Sequence, residues 1–144
     1  VSRLLAIDVG ITSGWAIFEQ KNTVLGQEWR LLRTESRKEP QIYLDLPMQQ
    51  KFVILEMTAA HGGMGKLGRE LLAIEAALRG VFPAATMIKP ADWKPYFQTR
   101  WLRGLFPQHH FKSSHERDAA CIGLYFIVKK LKDEFPGLED AKVS

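Results

Sequence analysis

Arg3-Leu4-Leu5-Ala6-Ile7-Asp8-Val9-Gly10-Ile11-Thr12-Ser13-Gly14-Trp15-Ala16-Ile17-Phe18-Glu19 is the stretch whose reading decides the fold. From Arg3 to Val9 it is a short apolar run interrupted by Asp8, the pattern of a buried strand. Gly10, Thr12 and Ser13 suit a turn, and Gly14 to Glu19 returns as a second strand, so the segment predicts a hairpin. Thr23 to Leu32 continues as a third strand, with Lys21 and Asn22 supplying the turn and Val24, Trp29 and Leu31 suited to a pleated surface. Between Arg33 and Gln50 the pattern weakens. Pro40 and Pro47 break any long helix there, which leaves a short connection or one helical turn.

Outward from this meander the period changes. Lys51 to Met57 contains the unbroken run Phe52-Val53-Ile54-Leu55, as expected of a strand covered on both faces, and Glu56 closes it. Three glycines in Thr58 to Gly65 mark a loop, after which Leu67, Leu71, Ile74, Ala77 and Leu78 recur at helical spacing and predict a helix to about Arg79. Pro83 separates it from a short strand at Ala85 to Ile88, and Pro90 opens a helix carrying Trp93 and Tyr96. Arg100 to Phe106 reads as one short helix stopped near Pro107, and His109 to Ser114 as loop. With Ser114 as N-cap, His115 begins a long amphipathic helix in which Ala119, Ile122 and Phe126 share one side and Lys129, Lys130 and Lys132 lie near the end. A meander followed by strand, helix and strand predicts an α/β domain with a mixed five-stranded sheet, an antiparallel meander plus parallel strands, flanked by helices.

A length of 144 residues fits one domain, 1–144, with no repeat or low-complexity tract. Apolar residues at 46% and charged residues at 25% exclude a disordered chain. No stretch approaches the roughly 20 apolar residues of a membrane helix, and no charged start followed by an apolar core resembles a signal peptide, so the expectation is a cytoplasmic protein without a membrane partner. Cys121, the only cysteine, excludes an internal disulfide and a Cys-based zinc cluster. The net charge of +4 is unevenly placed: from Lys89 to Lys132 there are nine Lys or Arg against Asp92, Glu116 and Asp118. Such a balance fits a polyanionic partner or a solvated basic surface equally well.

Two acidic residues stand where packing does not want them, Asp8 inside an apolar strand and Glu56 at the end of the most hydrophobic one. A carboxylate there is costly unless a cation, metal or donor compensates it, and each alone is explained as well by a helix cap or an ion pair. Two together point to a metal site. His115 and Asp118, three apart on the last helix, project on one face. If the helix start lies over Asp8, four ligands surround space for two divalent cations, Mg2+ or Mn2+. That arrangement suits phosphodiester hydrolysis, one ion activating water and the other stabilising the departing 3′ oxygen.

These residues carry a resemblance. Ala6-Ile7-Asp8-Val9-Gly10 with Ser13-Gly14-Trp15-Ala16, then Ile54-Leu55-Glu56, then His115-Glu116-Arg117-Asp118-Ala119-Ala120 resemble the RNase H-like superfamily, and within it the RuvC-type Holliday junction resolvases. Lys66-Leu67-Gly68 with Leu72-Ala73-Ile74 and Ala76-Ala77-Leu78 is similar to the helix after that family's glutamate, and Ala91-Asp92-Trp93-Lys94 to its basic segment. The resemblance implies a metal-dependent endodeoxyribonuclease that resolves four-way DNA junctions. It makes Asp8 the first-strand ligand, Glu56 the glutamate ending the fourth strand and Asp118 the last-helix aspartate, with His115 where many relatives carry another Asp. Lys94 matches a basic residue near the scissile phosphate, where a cation stabilises developing charge. Lys66, Arg69, Arg100, Arg103 and Lys112 join Lys94 as expected DNA contacts. The family acts as homodimers, and the apolar side of the helix from Leu67 to Leu78 is the candidate interface, although core packing claims most of those residues. A shortened Arg33–Gln50 segment and a missing helix length between Lys94 and His115 suggest a compact bacteriophage version. The loop after Glu56 offers only His61 and Met64 as sizeable groups, fewer than the aromatic wedge of relatives.

Three other readings compete. Asp8-Val9-Gly10-Ile11-Thr12-Ser13-Gly14 also resembles the phosphate loop of actin-like sugar kinases, but those need a second half domain that 144 residues do not supply. A non-catalytic DNA-binding module accounts for basic residues interleaved with Trp93, Tyr96, Phe97, Trp101, Phe106 and Phe111, yet leaves Asp8, Glu56 and Asp118 unexplained. Another RNase H-like nuclease acting on forks, flaps or RNA–DNA hybrids is the serious alternative.

Overall fold

The structure is a computed structural model and describes residues 2–24, 26–38, 50–56, 65–97, 106 and 109–136. Its strands are β1 (Arg3–Asp8), β2 (Thr12–Thr23), β3 (Gly26–Lys38), β4 (Phe52–Glu56) and β5 (Thr86–Ile88). The helices are α1 (Lys66–Val81), α2 (Pro90–Trp93), continued by a 3₁₀ turn at Lys94–Tyr96, and α3 (Ser114–Tyr125), widening into a π turn at Phe126–Lys130. They build one five-stranded sheet of order β3-β2-β1-β4-β5. The β1–β2 and β2–β3 pairs are antiparallel, and β1–β4 and β4–β5 are parallel, as the sequence predicts.

Alternation along β1 and β4 sends side chains to two apolar layers. Leu4, Ala6 and Ile54 join Ala119, Ile122 and Phe126 under α3, whereas Leu5, Ile7 and Leu55 join Ile74, Leu78 and Phe82 under α1. Both central strands are thus buried on both faces, which is why they read as continuous apolar runs. Asp8 and Glu56 lie on the α3 side, one alternation beyond Ala6 and Ile54. Among the described residues, no helix is long and apolar enough to cross a membrane.

The meander is longer than its hydrophobic pattern. The reversal expected at Lys21–Asn22 comes after Thr23, because Lys21, Asn22 and Thr23 pair with Glu28, Gln27 and Gly26. Gly26, at φ +135°, supplies a backbone conformation that side chains disfavour, and the Thr23 hydroxyl donates to its carbonyl at 2.9 Å. Arg33 to Lys38 belongs to β3 and is not a connection. As a sheet edge it is held by backbone pairing, which polar residues satisfy as well as apolar ones. The N-cap of α3 is Ser113, not Ser114: its Oγ accepts the Glu116 amide at 3.3 Å. The β5 strand starts at Thr86 and α1 runs two residues past Arg79. The helix expected over Arg100–Phe106 falls, apart from Phe106, outside the described residues, as do Pro40, Pro47, His61 and Met64.

Candidate active site

The C-terminal ends of the two central strands set the position. Asp8 pairs with Gly14 across β1–β2, and the parallel register that matches Ile7 with Leu55 puts Asp8 beside Glu56. The loop leaving β1 is closed by Ser13, whose buried hydroxyl donates to the Gly10 carbonyl at 2.8 Å and accepts the Gly10 amide at 3.0 Å. Gly14 then admits the start of α3: a Cβ at this position would overlap the His115 carbonyl and the Glu116 amide. A second close contact, Gly123 on the Phe18 ring, holds the same helix against β2 farther along.

His115 is thereby brought to Asp8, with Nδ1 3.3 Å from Oδ2. Asp118 lies near enough to Asp8 for its charge to raise that residue's proton affinity. Glu56 is fixed from the other side by Trp93, whose buried indole Nε1–H donates to Oε2 at 2.5 Å. The short α2 that carries Trp93 starts at Pro90, and the Asp92 carboxylate accepts the Lys89 amide at 3.0 Å. Lys94 follows directly and lowers the proton affinity of Asp8, Glu56 and Asp118 alike. One ammonium therefore faces three carboxylates delivered by β1, β4 and α3.

These carboxylates are partly dehydrated and repel one another. Burial, a hydrogen bond with Asp8 and the charge of Asp8 push Glu56 up to about 8. Burial first, then the charge of Asp118, takes Asp8 to about 6 despite its bond to Glu56. Burial also raises Asp118, against the pull of Arg117, Lys94 and His115. Both carboxyls are thus pushed toward their protonated forms, Glu56 further than Asp8. Among the described residues, no three His, Cys, Asp or Glu side chains converge tightly enough to close around an ion as they stand. The chemistry of the donor set nevertheless fits a hard divalent cation, which takes carboxylate oxygens and would relieve their mutual repulsion.

All five residues that the sequence singles out for chemistry, Asp8, Glu56, Lys94, His115 and Asp118, meet here. Lys66 and Arg69 are exposed on the first turn of α1, and Lys112 is exposed just before the Ser113 cap. Arg100 and Arg103 lie outside the described residues. Of the α1 face, Ile74 and Leu78 are buried against the sheet, whereas Leu67 is 58% exposed. Trp93 as the donor to Glu56 and Gly14 as the seat of α3 escape sequence reading. The one signal for the first is a tryptophan next to Lys94.

No protein-family model matches this chain, and no curated protein sequence does. Solved structures do match. The crystal structure of fowlpox virus resolvase with its substrate Holliday junction DNA superposes with a TM-score of 0.58 at 17% identity, covering 90% of this chain and 99% of that one. A second crystal structure, of the fowlpox virus Holliday junction resolvase, gives 0.52 at 14% identity, over 90% and 98%. The chain has the RNase H-like fold of these resolvases. Its mixed sheet with helices on both faces spans nearly their full length, so the likeness is one of whole domains.

Proposed function

We propose that this protein is a divalent-metal-dependent endonuclease that resolves four-way DNA junctions. The observation that carries the reading is the convergence of Asp8, Glu56 and Asp118 with Lys94 and His115 at the strand ends of a fold shared with a Holliday junction resolvase. Asp8, Glu56 and Asp118, with His115 beside Asp8, are the residues that would hold Mg2+ or Mn2+, two ions per site. Such ions supply Lewis acidity toward a phosphodiester and the water that attacks it.

The chain's own residues do the rest. Trp93 fixes the orientation of the Glu56 carboxylate through its indole N–H. Lys94 presents an exposed ammonium where negative charge gathers on the phosphate as the bond breaks. His115, with Nδ1 on Asp8, keeps its ring at the site edge. Lys66, Arg69 and Lys112, together with Arg100 and Arg103, hold the DNA backbone. Cutting two strands symmetrically needs two sites, so the active species is a homodimer, with the exposed part of α1 around Leu67 as its interface.

The test is cleavage of synthetic four-way junctions, forks, duplex and RNA–DNA hybrid, each with Mg2+, Mn2+ or EDTA. Junctions should be cut in paired, metal-dependent incisions. Asp8→Asn, Glu56→Gln and Asp118→Asn should each abolish cutting while junction binding survives, because losing a carboxylate removes a ligand and also reduces repulsion toward phosphate. Cleavage of forks or hybrid in preference to junctions would move the substrate elsewhere in the superfamily. Cleavage by any of the three variants near the wild-type rate would remove that residue from the site.

A further inference from the structure

Glu116 lies between His115 and Asp118, in the first turn of α3, yet is 1% exposed and points away from the carboxylate cluster. Its Oε1 accepts the Thr34 hydroxyl at 2.5 Å, and Thr34 Oγ1 lies 2.7 Å from His109 Nε2. The polarity of this chain follows from counting protons. Thr34 has a single hydroxyl hydrogen, spent on Glu116, so its oxygen accepts from His109 and the imidazole carries its proton on Nε2. Burial lowers the proton affinity of His109 against the opposing pull of Glu116, with His110 adding to the lowering, which favours a neutral ring. The His109 ring also tilts against Phe111, with centroids 4.6 Å apart.

Thr34 belongs to β3 and pairs with Ala16 on β2, so Glu116 reaches from the helix start across β2 to the outer strand. Ser113 caps the same turn and Gly14 seats it from below. A Ser113 cap followed three residues later by Glu116 has the spacing of a capping box, but here the glutamate turns to Thr34 rather than back to the cap. The first turn of α3 is therefore held at a cap, a backbone contact and a side-chain bond to β3. The last of these fixes its rotation about the helix axis.

We propose that the His109–Thr34–Glu116 chain is a positioning device for the nuclease site: it sets the rotation of the first turn of α3 that aims His115 and Asp118 at Asp8. This rests on the proposed function, on its substrate for the cleavage readout and on its metal site for the Mn2+ readout. Glu116 and Thr34 touch no reacting group; they act through His115 and Asp118 on the same turn. The chain bonds to none of the candidate ligands, so its effect is that of misplacing them, and a displacement of about 1 Å can cost about 10²-fold.

Thr34→Val keeps the shape and removes the hydroxyl, and Thr34→Ser keeps the hydroxyl. Three quantities are read on the purified full chain: single-turnover cleavage of a bound four-way junction, junction affinity in EDTA, and Mn2+ affinity of the free protein by electron paramagnetic resonance. Thr34→Val should lower cleavage and Mn2+ affinity by about 10-fold or more, within the cost of a misplaced group, and leave junction affinity unchanged, while Thr34→Ser restores both. His109→Gln, at the partly exposed end of the chain, should shift the same two quantities in the same direction and serves as the second variant should Thr34→Val not fold. Wild-type cleavage and Mn2+ affinity in the folded variants would overturn the proposal, as would a Thr34→Ser protein as impaired as Thr34→Val. A wild-type chain that binds Mn2+ but cuts no junction refutes the proposed function, and the Mn2+ comparison alone then decides the positioning role. A wild-type chain that does neither overturns both.

Discussion

Gly14→Ala adds one methyl group and should separate folding from cleavage. Gly14 sits opposite Asp8, and a Cβ there falls on the carbonyl of His115 and the amide of Glu116. These are backbone atoms, so no rotamer change relieves the overlap. The first turn of α3 has to retreat by roughly 1.4–1.9 Å before the contact, 2.1 Å as it stands, returns to about 3.5–4.0 Å. That retreat carries His115 and Asp118 away from Asp8, to which His115 Nδ1 now stands at 3.3 Å. Misplacing a reacting group by about 1 Å can cost about 10²-fold in rate, equivalent to about 2.7 kcal/mol. Overpacking costs about 1–3 kcal/mol of stability in addition. Gly123→Ala is the control. Its Cβ meets the Phe18 ring, in the same helix and against the same strand, but about 12 Å along the axis from His115. Both variants should melt earlier than wild type by a similar margin. In single-turnover cleavage of bound junction, Gly123→Ala should stay within roughly 3-fold of wild type, less than 1 kcal/mol, and Gly14→Ala should fall by about two orders of magnitude. A folded Gly14→Ala protein that cuts as fast as Gly123→Ala would refute the idea that the close seat of α3 assembles the site.

Two further outcomes follow from the charges. Folding raises Glu56 from 4.5 to about 8 and Asp8 from 3.8 to about 6, so the folded state binds more protons than the unfolded one between about pH 4 and 8 and the contribution of these groups to stability falls as pH rises through that window. Melting in EDTA from pH 5 to 9 should show this decline, flattened in Glu56→Gln, and Mn2+ binding at pH 7 should release about one proton; an unchanged slope in Glu56→Gln would contradict the assignment. Lys94→Met should lower the cleavage rate of bound junction by about 10–10²-fold with little loss of affinity, whereas Lys66→Ala, Arg69→Ala and Lys112→Ala should weaken binding and reduce its salt slope by about 0.9 for each phosphate no longer neutralised. A Lys94→Met protein with normal rate and weaker binding would make this lysine one more phosphate-binding cation.

Legibility in the sequence tracks burial. The β1 and β4 strands are apolar on both faces, so their runs are continuous and the acidic residues within them stand out. Pattern misplaces the turn at Lys21–Asn22 and is silent for Arg33–Lys38, where strand formation rests on backbone pairing at the outer side of the sheet. The parts of the site missed in the sequence are contacts made at long separation. Trp93 meets Glu56 across 37 positions and Thr34 meets Glu116 across 82. Glu116 reads as an ordinary polar residue in a solvated first turn, and only its burial shows otherwise. Gly14 reads as a turn residue, although its missing side chain is required by a helix that starts a hundred positions later.

The site also explains why the fold tolerates acids at the ends of its best strands. Asp8 and Glu56 are raised chiefly by burial, so the surrounding core works against their charged forms. Moving them to the rim would remove that cost, but it would also surrender their rigidity. On β1 and β4 each is held by a strand packed on both faces, and Glu56 is further held by the Trp93 indole. Under the proposed function, a site that acts on a phosphate with several preset oxygens gains more from fixed geometry than it loses in stability. Lys94 is the counterpart of this choice. Among the described residues Lys94 acts on all three carboxylates and Arg117 on Asp118 alone, 3.9 Å away, so the acids outnumber the cations facing them. Under the proposed function, that imbalance is what would draw in divalent cations and, through them, the polyanion that the carboxylates alone would repel.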